Sequence, residues 1–523
     1  LPGALLALLL AAANAIAGSG NALYEQGVTL AGRPLHATRQ QGGDIEGRDA
    51  ACASCHRRSG LGTFEGSIRV PPVAWRILSR SDAEIARERT IPHVLGFHPH
   101  RPGYDRLSLA RALREGTDAA GRPMSWVMPR YPDLSDADLD ALIGHLSTLV
   151  EGPPAGADDG QLRFVLVVTP DVDDRTVEAV RQVFDRAFAD HNQQIGFGSG
   201  AAHGDAAGYD IQRALRLSVW QLQGPATGWP AQLARLNGHE HPFGLLGGLG
   251  GGDWSLIDRF CAEQHLPLIL PHVDAPDPHA GFYSVHFQRG VALEADVIAD
   301  ELRAHRQGAT VPVYQLYRPE DSGAMGAQAL REALGPGWPV RDVVVPPGRS
   351  FDCPRDAQSS TLRPVAVLWL RPGDLAEVGP APGCEMLYAS GIMAGEAADW
   401  PRVWAGRMHV SYPWELPERR RIAMNFPRSW LRAKGQAMVD ERAQSDAWLA
   451  TQVLETALGD LVDAYYPEYL VERIESVVGH RLTNAHYPRL TLAAGQRFAS
   501  KGAYLLSLQP DGRLAPEGAW RIP

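Results

Sequence analysis

Two of the five cysteines in this 523-residue chain stand three positions apart with a histidine directly behind them, as Cys52-Ala53-Ser54-Cys55-His56. On a short helix, side chains three and four positions apart share one face. The two thiols are thereby brought to one side, and the imidazole turns toward the same ligand. C-x-x-C-H is the attachment pattern of a c-type haem, in which the sulfurs bond the vinyl groups and the histidine ligates the iron. The same residues can serve as half of a zinc site or as a redox dithiol. No second CxxC or HxxxH pair lies nearby in the sequence to complete four zinc ligands.

A chain of this length exceeds one hydrophobic core, and at roughly 100 to 200 residues per domain about three compact units are expected. Leu1 to Ala17 is almost purely Leu and Ala and ends in small-residue triplets, Ala13-Asn14-Ala15, Ala15-Ile16-Ala17 and then Gly20-Asn21-Ala22. Residues 1–22 therefore read as a secretory signal peptide whose start is truncated. An uncleaved anchor is the competing reading, and only then is a membrane a partner; a span needs about 20 apolar residues. Export to the periplasm agrees with the haem, since thioether attachment takes place outside the bacterial cytoplasm. The net charge of −10, from 50 basic and 60 acidic residues, argues against nucleic acid as a partner. Lysine occurs only as Lys434 and Lys501, so a basic docking surface has to be built of arginine. Arg57, Arg58 and Arg69 near the motif are candidates for one, with a plain solvated face as the alternative.

Linker composition at Glu151 to Gly160 separates a small N-terminal module, residues 23–150, from a large one, residues 161–523. The small module reads as all-α, with helices at Ser81 to Thr90, Ser108 to Glu115 and Ser135 to Val150. The last begins on an N-cap serine followed by Asp136 and Asp138. Its Leu139, Leu142, Ile143, Leu146 and Leu149 recur at helical spacing, a face suited to packing on the haem-binding helix. Beyond Gly160, apolar strands alternate with helices in two consecutive series, which predicts parallel sheets covered on both faces. Two such sets imply two lobes, and a cleft between lobes is the usual place for a small ligand.

An iron held by one histidine takes a second axial ligand, and methionine there raises the potential and suits electron transfer. Met128-Pro129-Arg130-Tyr131, followed by Leu134-Ser135-Asp136, resembles the ligand loop and helix start of class I c-type cytochromes. The resemblance covers about 125 residues and implies one covalent haem c, held by Cys52 and Cys55, with His56 and Met128 as axial ligands. Met124, His93, His98 and His100 are the competing sixth ligands. In those cytochromes a proline carbonyl accepts the other N–H of the ligating imidazole, a role open here to Pro71 or Pro72 unless Val70-Pro71-Pro72-Val73 is only a turn. Trp75 and Trp126 are candidate walls of the haem, or ordinary core aromatics.

From Leu162 to Gln509 the strand and helix order, with the late segment Tyr487-Pro488-Arg489-Leu490-Thr491-Leu492, resembles the type I periplasmic solute-binding proteins, the branched-chain amino acid and amide receptors. That resemblance implies two hinged lobes closing on a solute whose carboxylate is gripped by hydroxyls and backbone N–H groups. The comparable loop, Gly247 to Asp253, keeps the N–H groups, lacks the hydroxyl and adds an acidic side chain, which argues against an amino acid ligand. A tight structural turn is an equal reading of it. Tyr283, Tyr317 and Trp414 are candidate cleft residues, with core packing as the simpler reading. Cys353 and Cys384 are expected to form a disulfide in an exported protein, and Cys261 to be a buried apolar residue. The expected function is electron transfer by an exported monohaem cytochrome rather than catalysis. Its redox partner would be a periplasmic dehydrogenase or another cytochrome, and the second module would recognise a ligand or partner. The alternative is a periplasmic small-molecule receptor or sensor whose haem reports redox state.

Overall fold

The computed structural model describes residues 20–66, 68–85, 101–152, 154–158, 160–198, 213–306, 311–319, 321–344, 363–379, 383–395, 400–461, 464–478 and 486–523. The chain forms two compact units. One contains the residues up to Pro154 together with Ala457–Arg473, and the other contains most of the remainder. Among the described residues no helix is long and apolar enough to cross a membrane.

The smaller unit is built on short helices at Ala53–His56, Trp75–Leu78, Asp82–Ile85, Arg106–Glu115 and Asp136–Thr148. The expectation of an all-α module needs correction, because two antiparallel ribbons are present. In one, β1 (His36–Thr38) pairs with β2 (Asp44–Glu46); in the other, β3 (Thr63–Glu65) pairs with β4 (Ile68–Val70). Gly42 and Gly43, with φ of 91° and 103°, turn the first ribbon in a conformation glycine adopts at little cost. Three-residue strands leave no alternation long enough to be read from sequence. The expected helix at Ser81 to Thr90 is described only as Asp82–Ile85; the rest lies outside the described residues.

Ser135 caps the helix Asp136–Thr148, its hydroxyl accepting the Asp138 N–H at 3.1 Å. Leu139, Leu142 and Leu146 are buried along its inner face. That face meets the turn Ala22–Gln26 and the helices Trp75–Leu78 and Arg106–Glu115, rather than chiefly the Cys52 to His56 turn as the periodicity suggested. Close approach is what directs it. A Cβ on Gly20 would lie 2.1 Å from the Ala141 carbonyl oxygen, so the two backbones touch and Leu23 and Tyr24 are driven into the core. The third small-residue triplet, Gly20-Asn21-Ala22, is thus part of the folded unit. The segment Ala457–Arg473 contributes Leu458, Leu461, Tyr465 and Tyr469, all buried. Its membership in this unit was not legible, because periodicity shows that a helix face is buried but not against what.

The larger unit contains two seven-stranded sheets. In the first, β5 (Gln161–Val168) pairs in parallel with β6 (Ala214–Gln221) and β7 (Gly244–Leu246). From β7 the parallel ladder continues through β9 (Leu268–Ile269) to β11 (Ser284–Val285), while β8 (Leu249–Asp253) joins the end of β5 and pairs with β10 (His272–Ala275). In the second, the order is β13 (Val340–Val344), β12 (Val313–Tyr317), β14 (Val365–Trp369), β15 (Met386–Ser390) and β16 (Met408–Tyr412), all parallel. It closes with antiparallel β17 (Tyr504–Leu508) and β18 (Leu514–Pro516). The two-lobed α/β architecture read from sequence is therefore present. The buried runs of β5 and β14 explain why the strands read as continuous apolar segments: Phe164 to Val168 and Val365 to Trp369 are at most 1% exposed.

Helix-on-sheet packing in the second lobe depends on two glycines, Gly323 and Gly326, and a Cβ on Gly323 would lie 2.5 Å from the Trp369 carbonyl oxygen. The helix Ser322–Leu334 lies flat on Trp369, and a Cβ on Gly326 would come within 2.6 Å of the indole ring. Gly326→Leu is expected to destabilise this unit by about 1–3 kcal/mol through overpacking, read as a lower denaturant midpoint by tryptophan fluorescence. An unchanged midpoint would show that the helix can shift off the ring.

Candidate functional site

The residues of the Cys52 to His56 turn line a cavity of about 980 Å³ in the smaller unit. That is at the upper end of the roughly 300–1,000 Å³ typical of cofactor and ligand pockets. Cys52, Cys55 and His56 form one wall, and Met124, Trp126 and Met128 contribute from the loop before the Ser135 helix. His56 is buried, and its Nδ1 lies 2.8 Å from the Pro71 carbonyl oxygen. A carbonyl only accepts, so Nδ1 carries the proton and Nε2 keeps its lone pair. Burial lowers the proton affinity of this ring, and the Pro71 carbonyl acts in the opposite direction. The outcome is a neutral imidazole, the form that ligates metals. Of the two prolines open to this role, Pro71 fills it.

Burial also pushes the Cys52 thiol up to about 12, while the Ser54 hydroxyl lies 3.7 Å from the Cys55 sulfur. Both cysteines are free thiols. The Cys52 thiol is a poor nucleophile as it stands, which disfavours a redox dithiol that needs it at neutral pH. Among the described residues no cluster of three or more His, Cys, Asp or Glu could hold a metal ion by itself, and none of them completes a four-ligand zinc site with the motif. The donor set fits a planar, iron-bearing group: two thiols and one neutral imidazole on one wall, thioethers on the loop, and an apolar interior.

The methionine loop is fixed at both ends. Met124 N–H donates to the Gly116 carbonyl at 2.8 Å, and Thr38 and Arg130 exchange backbone bonds at 2.8 and 2.9 Å directly after Met128-Pro129. Tyr131, buried beside the cavity, donates its hydroxyl to the Ala50 carbonyl at 3.0 Å. Trp126 lines the cavity and is half exposed, whereas Trp75 packs on the core. His93, His98 and His100 lie outside the described residues. Of the three candidate docking arginines, Arg58 pairs with Glu25 at 3.3 Å and Arg69 lies over the Phe64 ring. Arg57 takes a left-handed φ of 66°, and its carbonyl accepts the Tyr24 hydroxyl at 2.7 Å.

In the larger unit, the carboxyl ends of strands from both sheets enclose a cavity of only about 10 Å³, lined by His272, Asp274, Gln288, Trp414, Arg442 and Asp446 among others. That holds about one water. Its space is filled by charged side chains. Arg371 reaches Asp274 at 2.8 Å and Asp321 at 2.7 Å, and Arg442 lies 4.7 Å over the Trp414 ring. His272 Nδ1 meets Asp446 at 2.7 Å, and the Ser322 hydroxyl donates across to the Gly251 carbonyl. Trp414 does line the cleft. Tyr283, stacked on His265, and Tyr317, bonded to Asp342, do not.

Most of the glycine-rich stretch is a strand, β8, rather than a loop. Gly251 N–H donates to Asp171 Oδ2 at 2.6 Å, so a carboxylate of the chain already occupies this N–H. Asp253 accepts the Ser255 N–H at 2.9 Å, just ahead of the helix Ser255–Glu263, whose N-cap position is Trp254. Asp171 lies two residues beyond Thr169, and nothing in the local sequence marks it; only the fold brings it to Gly251. Cys384 is disulfide-bonded, Cys353 lies outside the described residues, and Cys261 is fully buried.

His145 packs against Tyr24 with ring centroids 5.0 Å apart and the planes tilted by 47°, and its buried Nε2 has no hydrogen-bond partner among the described residues. Burial first, and the Arg58 charge second, push His145 down to about 4. The folded ring stays neutral where the unfolded one is protonated, so stability is present above about pH 6.5 and is lost as pH falls toward about 4. His145→Leu is expected to remove a few kcal/mol of this acid sensitivity. Denaturant midpoints of the two proteins at neutral pH and at about pH 4.5 check it: a parallel decline in both would contradict the assignment.

The chain matches no protein-family model and no curated protein. Among solved structures, a fatty acid ABC transporter substrate-binding protein from Thermomonospora curvata aligns over 71% of this chain and 95% of its own, with 11% identity and a TM-score of 0.47. A substrate-binding periplasmic protein from Ralstonia solanacearum aligns over 68% of this chain and 100% of its own, with 14% identity and a TM-score of 0.47. A leucine binding protein from Thermotoga maritima aligns over 69% of this chain and 99% of its own, with 12% identity and a TM-score of 0.46. With TM-scores below 0.5 these likenesses establish no function, and the architecture rests on the chain's own two parallel sheets.

Proposed function

We propose that the protein is an exported monohaem c-type cytochrome joined to a two-lobed module resembling periplasmic solute-binding proteins. It exchanges electrons with a redox partner protein and does no catalysis of its own. The observation that carries this reading is the Nδ1–Pro71 contact, which leaves His56 Nε2 as a lone-pair donor on the wall it shares with Cys52 and Cys55. In this reading Cys52 and Cys55 would bond a haem covalently, and His56 and Met128, the latter on the loop anchored by the Thr38–Arg130 pair, would be its iron ligands. A haem bound there would supply one-electron exchange between ferric and ferrous iron. The protein residues would orient it within the cavity they line.

Intact mass of the purified, export-matured protein should exceed the polypeptide mass by one haem, and Cys52→Ser with Cys55→Ser should abolish the increment. Met128→Ala should remove the absorption feature of methionine-ligated ferric iron, with Met124→Ala leaving it in place. Colourless protein would end the haem reading, and the reverse methionine result would exchange the ligand.

A receptor or sensor is the second reading, supported by the position of the cleft at the carboxyl ends of strands from both sheets. Any solute has to displace the Arg371 and Arg442 ion pairs, and it finds the Gly251 N–H occupied by Asp171. The reading therefore excludes a ligand anchored by an amino acid carboxylate at that loop. Leucine and valine should leave the melting temperature unchanged. A solute that binds at 100 times its Kd should stabilise the protein by about 2.7 kcal/mol, and a large shift with leucine would refute the assignment of Asp171.

A further inference from the structure

Three residues beyond His56, the loop following the motif is gripped by a carboxylate from a distant part of the sequence. Glu472, on the helix Pro467–Val478 and 1% exposed, accepts the Ser59 N–H at 2.8 Å and the Ser59 hydroxyl at 2.6 Å. Its neighbour Arg473 donates to the Thr63 hydroxyl at 3.3 Å. Both belong to the smaller unit. A structural tie alone would be served by a neutral amide or a hydroxyl; a buried carboxylate is a costly way to hold a loop.

We infer that Glu472 is a redox-linked proton acceptor: when the iron gains an electron from a one-electron donor, the Glu472 carboxylate takes one proton from solvent, and it returns the proton when the electron leaves. This rests on the haem reading above. The balance is one electron in and one proton in, so the added negative charge is compensated inside the unit. Opposing influences leave the carboxyl poised. Burial raises it, Arg57, Ser59 and Arg473 pull it down, and the balance leaves it at about 7. Tyr24 and Tyr469 also feel its charge, and both have their own ionisation pushed upward by burial, which keeps them neutral. Glu472 is thus the acid among these groups that can change state near neutral pH. One unit of charge added close by shifts such a group by on the order of one pH unit.

The test uses the full-length holoprotein and measures the midpoint potential from about pH 5 to about pH 9, across the expected window. In the wild type the midpoint should fall as pH rises through neutrality, with a slope of about half a proton per electron at its steepest for a shift of about one pH unit. Glu472→Gln should flatten that segment. Ser59→Ala, which removes one donor but keeps the carboxylate, should move it to higher pH. Infrared difference spectra of the wild type need no variant and should show a protonated carboxyl band appearing on reduction. A midpoint independent of pH, a slope that persists in Glu472→Gln, or no carboxyl band would each overturn the inference while covalent haem remained established. Protein without haem would overturn the functional reading itself, and the inference with it.

Discussion

His56 has one ring nitrogen committed to the Pro71 carbonyl, and what the smaller unit can hold depends on the other. A hydrogen bond of this kind does two things at once: it fixes the tautomer and it fixes the ring plane. Without it a buried imidazole would choose its own proton position and rotate, and the spacing of the two cysteines would specify little. With it, the five-residue motif becomes a rigid wall whose donors face an apolar space bounded by a methionine loop. The surrounding packing serves the same end. Tyr24 reaches the Arg57 carbonyl from behind, and the near-contact of Gly20 with Ala141 holds the turn that carries Tyr24.

The larger unit solves a different problem. Two parallel sheets converge with their carboxyl ends on a narrow space, a place where helix starts and loop N–H groups usually await a ligand. Here the chain supplies its own partners. Asp171 takes the N–H of Gly251, Arg371 bridges two aspartates, and Arg442 lies on an indole face. Each of these contacts satisfies a charged or polar group of the chain from within the chain itself.

Much of this was legible in the letters, and the parts that were not share a cause. Cys52, Cys55 and His56 could be found because their geometry is local: a single helical turn defines it. The alternation of strands and helices after Gly160 was legible for the same reason, each element carrying its own period. Asp171, Glu472 and the pairing of Gly251 are long-range, set by which strand lies beside which, and no window of sequence contains both partners. The two ribbons of the smaller unit were missed because three residues do not make a period. The glycine-rich stretch at Gly247 to Asp253 misled in a specific way: its composition suggests a loop, yet the fold uses its lack of side chains to bring a strand against Thr169 and Trp254.

Because Ala457–Arg473 folds with the described residues up to Pro154, the boundary between the modules is not a seam in the polypeptide. A fragment ending at the linker would leave Ser59 without its acceptor and would bare the surface that Leu458, Leu461 and Tyr469 cover. The unit around the cysteine motif is therefore discontinuous, completed by residues that the ribosome delivers some three hundred positions later. Until they arrive, a nascent chain of this protein carries that surface uncovered, which places the completion of the first unit after synthesis of most of the second.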